Sequence, residues 1–526
     1  MLENNHSLES IGSMPQTSLV LSALFCASVA FASAQKPNIL FITMDDMNWD
    51  SMGSYGSPVE DITPHMDSLA AQGMRFHHAF VQSSTCAPSR NVLHTGRYPH
   101  VSGMHGFYSV KFPHNTVPEY LREAGYFTGV VQKVPDSTPT NDFDRYWHYH
   151  KSLPTQRGST PVEYAKAFEA MVTGAKVEGK PFYAVINVID PHLPFYNGPM
   201  MREQSDIWDQ TSPSRVYSPD EVPVPGFLHG HPAFAQEVAD YYSTVRRGDD
   251  CVGAVLDVLR QHGLEDDTII IFLSDHGMSM PFAKSTLYPA GVRTPWIVVW
   301  PGVAEPGYLD AEHMISAIDY MPTILDIIGA PVSEELEGRS IVPLIRGEQQ
   351  ADRNRVFVQL NENPNATVRP IRGIYTRDFV YIFNPWSNGD RIATMEARWY
   401  RSWQTMKELA GRDPLFAERF DFLKYRTTEE LYAYSVDPDA LNNLIDNPHY
   451  RAIADQLRGE MESWMDRTDD YVLPAFLDRE NSEALEAFFQ HHQAIAHERA
   501  KDTEWKRTNN HHGSTAGHSK YYDPNQ

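Results

Sequence analysis

Through about residue 350, short apolar runs alternate with longer amphipathic stretches. Ile39–Met44, Phe127–Val131, Phe182–Ile189, Thr268–Leu273 and Trp296–Trp300 are near-continuous apolar runs, the pattern of strands buried on both faces. Between them, Thr63-Pro64 to Gln72 carries a cap, a first-turn proline and a stop at Gly73. Ala233–Gly263 and His313–Ile328 follow helical spacing. The alternation predicts an α/β fold with a large, mostly parallel sheet flanked by helices, occupying residues 35–350. Beyond it the runs shorten, as in Val356–Leu360 and Ile371–Phe383, and a helical stretch follows at Tyr450–Met465. This predicts a smaller C-terminal α+β subdomain over 351–480. Residues 481–526 read as a polar, histidine-rich tail, with His511–Gln526 expected to be disordered and its histidines solvated.

The chain has 526 residues, 41% of them hydrophobic, enough for a sizeable core in two domains. Leu19–Phe31 is apolar but too short to span a bilayer, and Ala32-Ser33-Ala34 after it reads as a signal-peptidase site. Residues 1–34 are therefore expected to direct export to the periplasm or beyond, although Glu3 and Glu9 precede the run and no Lys or Arg does. Cys26 lacks a lipobox, and no later segment is long and apolar enough to anchor the chain. Cys26 leaves with the signal, so Cys86 and Cys251 remain and a disulfide-built fold is excluded. Cys251 falls in an apolar helical stretch and is expected to be buried. The net charge of −24 argues against a nucleic-acid surface, and an anionic substrate would need a local basic pocket.

Polar clusters recur where predicted strands end: Asp45-Asp46, Lys133, Asp190-Pro191-His192 and Ser274-Asp275-His276-Gly277. In open α/β sheets, sites form beyond those ends. Asp45, Asp46 and Asp275 converging there would need a cation, and oxygen donors favour a hard one. Each aspartate alone reads equally as a cap or turn former. Cys86-Ala87-Pro88-Ser89-Arg90 reads as a helix start, with Gly96 as its stop. Cys86 would lie at the positive end of the helix dipole, with Arg90 one turn in. That arrangement suits an anion and a thiol of lowered pKa. A structural cysteine before an ordinary helix fits the same residues.

Cys86-x-Pro88-Ser89-Arg90 followed by Thr95-Gly96-Arg97 resembles the signature of the type I sulfatases, of the alkaline phosphatase superfamily; His94 replaces the usual leucine. In that family a maturation enzyme oxidises the cysteine to formylglycine. One hydroxyl of the hydrated aldehyde takes the sulfate, and the other then loses its proton to expel it. The resemblance implies metal ligands Asp45, Asp46, Cys86, Asp275 and His276 around one divalent cation, expected to be calcium. His276 stands where asparagine is usual, and imidazole is a less natural calcium ligand. Arg90, Lys133, His192 and Lys284 are the implied sulfate-binding and acid–base residues. Lys284 opens Lys-Ser-Thr-Leu-Tyr-Pro-Ala-Gly-Val-Arg-Thr-Pro, similar to a family motif. The histidine usual after the lysine is missing from Lys133-Val134-Pro135-Asp136-Ser137, and Asp136 is the candidate replacement. The resemblance covers Lys36 to about Trp464, including Glu429-Glu430-Leu431-Tyr432, and is nearest to the heparan N-sulfatase branch through Asp45–Asp50, Gly106-Phe107-Tyr108 and Arg369-Pro370-Ile371-Arg372. Arg372 is thereby a candidate substrate contact. Asn361-Glu362-Asn363 departs from that branch's His-His-Glu, so N-sulfate specificity does not carry over. The expected function is an exported sulfatase acting on sulfate esters or N-sulfates of a carbohydrate. A phosphonate or phosphodiester hydrolase of the same superfamily and a non-catalytic glycan-binding relative are the alternatives.

Overall fold

A computed structural model describes residues 36–501, apart from 111, 141, 154–159, 204–210, 364–365, 394–397 and 399. The main sheet comprises β1 (Asn38–Met44), β2 (Met74–Phe80), β3 (Phe127–Val131), β4 (Tyr149–Lys151), β5 (Phe182–Val188), β6 (Thr268–Ser274), β7 (Trp296–Val299) and β8 (Leu309–Ser316). Their order is β4-β3-β5-β1-β6-β7-β2-β8. Only β7 runs antiparallel to its neighbours β6 and β2. β1 lies between β5 and β6, with Ile39 in register with Tyr183 on one edge and Ile269 on the other, and its apolar side chains are buried.

β3, β5, β1 and β6 are adjacent and parallel, so their carboxyl ends share one edge. Helices Pro161–Glu178 and Ala235–Gln261 pack against each other beside the sheet. The first is capped by Thr160, whose hydroxyl accepts from Glu163 N at 3.2 Å, and is closed by Gly179 at φ 64°. Cys251 is fully buried in the second. Among the described residues no helix is long and apolar enough to cross a membrane.

A second sheet, antiparallel in the order β12-β11-β10-β9, comprises β9 (Val356–Asn363), β10 (Thr367–Tyr375), β11 (Val380–Phe383) and β12 (Glu429–Tyr432). It joins the first at the loops near Cys86 and Lys284. Gln359 N donates to Gln82 O at 2.7 Å, and the Tyr375 hydroxyl donates to Leu287 O at 2.7 Å. Glu430, fully buried, accepts from the hydroxyls of Tyr288 (2.6 Å) and Tyr432 (2.8 Å) and from Asn384 Nδ2 (2.7 Å).

Several expectations are corrected. His313–Ile328 is not one helix: Leu309–Ser316 is strand β8 along β2, and the helix is Tyr320–Ile327. Ser316 and Asp319 form a capping box between them, a start signal inside the presumed helix. Ile371–Phe383 divides into β10 and β11 at a turn closed by Thr376 N donating to Phe379 O at 2.9 Å. β2 escaped notice because Arg75, His77 and His78 break its apolar run. The polar stretch after Asn481 contains the helix Ser482–Arg499, which buries Leu485, Phe489 and Ala496. Its Gln493 accepts from Val368 N at 3.2 Å and donates to Ala366 O at 2.9 Å. The proposed signal segment and His511–Gln526 lie outside the described residues.

Arg372 is also placed differently from a substrate contact. Its guanidinium donates to both Asp470 oxygens, at 2.5 and 2.8 Å, with both side chains 0% exposed. Burial alone would raise the Asp470 carboxyl, and Arg372 more than offsets that, holding it below the ordinary range. The pair therefore stabilises the fold at neutral pH, and that contribution is lost as acid takes the pH down through the depressed pKa. Asp470→Asn should cost about 3–5 kcal/mol in urea denaturation, since it leaves a buried guanidinium uncompensated. A cost below about 1 kcal/mol would mark the pair as no better than a solvated one.

Candidate active site

The edge shared by β3, β5, β1 and β6 collects most of the predicted site. Asp45 and Asp46 leave β1, Lys133 and Asp136 follow β3, His192 follows β5, and Asp275 and His276 follow β6. The helix Cys86–Thr95 points its amino end at them and closes on Gly96 at φ 62°. Lys284 arrives from the loop before β7, which is tied to the Cys86 loop by Ser285 N donating to Ser84 O at 3.0 Å. Asp46 (φ 66°), Gln132 (φ 61°), Lys133 (φ 48°) and Ser285 (φ 63°) all adopt left-handed backbone conformations. Strain of this kind persists only where surrounding contacts hold it.

The charges interlock. Lys133 Nζ lies 2.6 Å from Asp45 Oδ2, Lys284 Nζ 2.9 Å from Asp46 Oδ2, and Arg90 Nη2 2.9 Å from Asp275 Oδ2. Cys86 Sγ is 3.5 Å from Asp45 Oδ1 and 3.3 Å from His276 Nε2, which is 3.2 Å from Asp46 Oδ1. His276 Nδ1 is 3.0 Å from Gly277 O; a carbonyl only accepts, so Nδ1 donates there and Nε2 is the nitrogen that faces the cluster. Gly277 is required there, because a Cβ would fall 1.7 Å from Ala290 O.

Three carboxylates thus face three cations in a pocket that is almost wholly buried. Burial would raise Asp45, but Lys133, His192, Arg90 and Lys284 hold its carboxyl well below the ordinary range. Asp275 goes the other way: burial and the neighbouring Asp45 and Asp46 raise it against Arg90 and His276. Asp45 Oδ2, Asp46 Oδ1 and Asp275 Oδ2 are buried and meet their neighbouring nitrogens as ion pairs, without a well-aligned hydrogen bond. Ligand atoms of Asp45, Cys86, Asp275 and His276 lie within 4.8 Å of one another, as do those of Asp45, Asp46, Cys86 and His192. A divalent cation fits this donor set.

The thiol does not behave as the helix dipole suggested. Burial, then the Asp45 charge, push the Cys86 pKa well above the ordinary range, outweighing Lys133 and Lys284. Asp136 is buried, with Oδ2 3.7 Å from Lys133 Nζ. His192 is only half-buried, with Nδ1 donating to Leu193 O at 2.7 Å, and Lys133 retains 13% exposure. The cluster therefore opens to solvent on the Lys133–His192 side. Arg372, bonded to Asp470, is not among these contacts.

Reading the chain alone missed several supporting groups. Ser279 donates to Asp46 Oδ2, and Ser89 Oγ donates to Asp275 O at 2.6 Å. Arg247 clamps Asp190 with two bonds, at 2.7 and 2.9 Å, anchoring the His192 turn. Thr43 and Asn187 contact Arg90. The last two carried a signal: each is a buried polar residue inside a largely apolar strand.

Comparison with known proteins gives a consistent picture. A sulfatase family profile matches residues 37–330, and one described as N-sulphoglucosamine sulphohydrolase, C-terminal, matches 275–392. An ulvan-active sulfatase of Formosa agariphila is 29% identical over 449 residues, covering 84% of this chain and 82% of that protein. Human N-sulphoglucosamine sulphohydrolase is 28% identical over 475 residues, covering 83% and 91%. Among solved structures, BT4656 in complex with its substrate D-glucosamine-2-N,6-O-disulfate has a TM-score of 0.61 at 19% identity, covering 83% of this chain and 99% of that one. Phosphonate monoester hydrolase of Agrobacterium radiobacter has a TM-score of 0.57 at 17% identity, covering 82% and 96%. At those identities the structures speak for the fold alone.

Proposed function

Because this chain belongs to the sulfatase family, we propose that it is an exported enzyme removing sulfate groups from a sulfated carbohydrate, using Cys86 matured to formylglycine and a divalent cation. The observation that carries this reading is the buried cluster of three aspartates and His276 against Arg90, Lys133 and Lys284, gathered around Cys86. A protonated, buried thiol is a poor nucleophile. The matured side chain would supply the attacking oxygen, and a cation held by Asp45, Asp46, Asp275 and His276 would draw charge from it and from the sulfate. Arg90 and Lys133 hold the sulfate oxygens, and their interaction strengthens as charge moves onto the departing group. Lys284 or His192 protonates the leaving oxygen; His192 lies on the open side, where the sugar would enter. Among the relatives, the ulvan-active sulfatase and the N-sulphoglucosamine sulphohydrolase support a polysaccharide-derived substrate. His276 favours keeping one second reading in view, a phosphonate or phosphodiester hydrolase.

Assay against a panel of sulfated mono- and oligosaccharides, with phosphonate and phosphodiester controls, tests the reading. Sulfate release should dominate. Cys86→Ala should lower turnover on the order of 10⁴-fold or more while leaving the melting temperature near that of the parent. Near-parental kcat in that variant, or release from the phosphorus esters alone, would contradict it.

Exhaustive chelation should stop turnover and lower the melting temperature. Restoring a cation to 100 times its Kd should return about 2.7 kcal/mol. His276→Asn, which exchanges an imidazole for an amide oxygen, should shift the thermal-shift preference further toward calcium. An unchanged melting temperature after chelation, with no metal by elemental analysis, would refute the cation.

Asp136 takes the place of the missing histidine as the base that drives sulfate expulsion, from its buried position beside Lys133. Asp136→Asn should release about one equivalent of alcohol per enzyme in a burst and then stall. Asp136→His should restore steady turnover. Parental kinetics in Asp136→Asn would place the base elsewhere.

A further inference from the structure

We infer that Asn187, with Thr43, is the positioning element that aims Arg90 and Lys133 at the sulfate group. This rests on the functional reading above. Thr43 of β1 and Asn187 of β5 are register partners one residue before their strands end. Arg90 Nη1 donates to Asn187 Oδ1 at 2.5 Å and to Thr43 Oγ1 at 2.7 Å. Thr43 Oγ1 in turn donates to Asn187 Oδ1 at 2.7 Å. One edge of the guanidinium is thus held by neutral oxygens of the sheet, and Nη2 is left facing Asp275 and Asp45. A carboxylate in place of Asn187 would compete with that outward face; an amide oxygen fixes the group without drawing it in.

The other end of the same amide holds the lysine. Asn187 Nδ2 donates to Gln132 O at 2.7 Å and to Ser137 Oγ at 3.2 Å. Gln132 and Lys133 are consecutive non-glycine residues in the left-handed region, which needs holding. Ser137 N donates to Lys133 O at 2.9 Å, closing the turn that carries both Lys133 and Asp136. The orientation of the amide is fixed by its partners, because Gln132 O can only accept and Arg90 can only donate. With two bonds accepted and two donated, one side chain joins β1, the Cys86 helix and the turn after β3.

The test uses Asn187→Leu, which keeps the branching of the side chain without its polar atoms, and Thr43→Val, which keeps the shape and β-branching of the side chain. Each should stay folded and lose kcat/KM, by about 100-fold for Asn187→Leu, the scale expected of a small misplacement of binding groups. Affinity for inorganic sulfate, read by calorimetry on the same protein, should fall in parallel. In a double-mutant cycle, Asn187→Leu should cost less in an Arg90→Lys background than in the parent, the remaining loss coming from the Lys133 turn. Loss within about twofold, or multiplicative losses in the cycle, would overturn the proposal. If Asn187→Leu does not fold, Thr43→Val decides by the same two criteria. A parent that neither turns over sulfate esters nor binds sulfate would overturn the functional reading and this proposal together. A working parent matched by its variants would overturn this proposal alone.

Discussion

Like charges gathered in a dry pocket repel, and this fold brings Asp45, Asp46 and Asp275 within reach of one another at the buried edge of its main sheet. Much of the surrounding architecture answers that one constraint. Parallel pairing of β3, β5, β1 and β6 delivers the carboxylates and their counter-charges to the same edge. The Cys86 helix brings Arg90 to Asp275, the turn after β3 brings Lys133 to Asp45, and the loop before β7 brings Lys284 to Asp46. With three carboxylates matched by three cations, a divalent ion would leave the pocket net positive. On the proposed reading, such a pocket would suit a sulfate ester and the charge that builds as sulfate departs.

The second sheet is part of the same arrangement. Glu430 holds Tyr288, and Tyr375 holds Leu287, both within the segment that begins at Lys284. Gln359 holds Gln82, at the start of the loop into Cys86. Two of the elements around Cys86 are therefore steadied from outside the main sheet, by contacts up to hundreds of residues away in sequence. The C-terminal region contributes to the site through backbone placement more than through groups of its own.

The strands β1, β3, β5, β6 and β7 were legible in the chain by a local rule, and the site motif by its resemblance to the type I sulfatase signature. Apolar runs without alternation mark strands buried on both faces, and their polar endings mark the functional edge. What was not legible depends on distant partners. β8 resembled a helix until its pairing with β2 is known, and Arg372 resembled a ligand-binding group until Asp470, almost a hundred residues on, is seen bonded to it. For the Cys86 thiol the helix dipole is a local feature, whereas the burial and Asp45 charge that outweigh it come from the assembled fold. Asn187 and Thr43 lie between these cases: their polarity inside buried strands was visible, but their partner Arg90 was not.

The central claim is that this cluster is built around a modified Cys86. Mass spectrometry of the peptide containing residue 86, from active protein made in its native host, tests it most directly. The account predicts that the peptide carries an aldehyde in place of the thiol, trapped by a carbonyl-reactive hydrazide. Fully active protein whose residue 86 is an unmodified, alkylatable cysteine would contradict it.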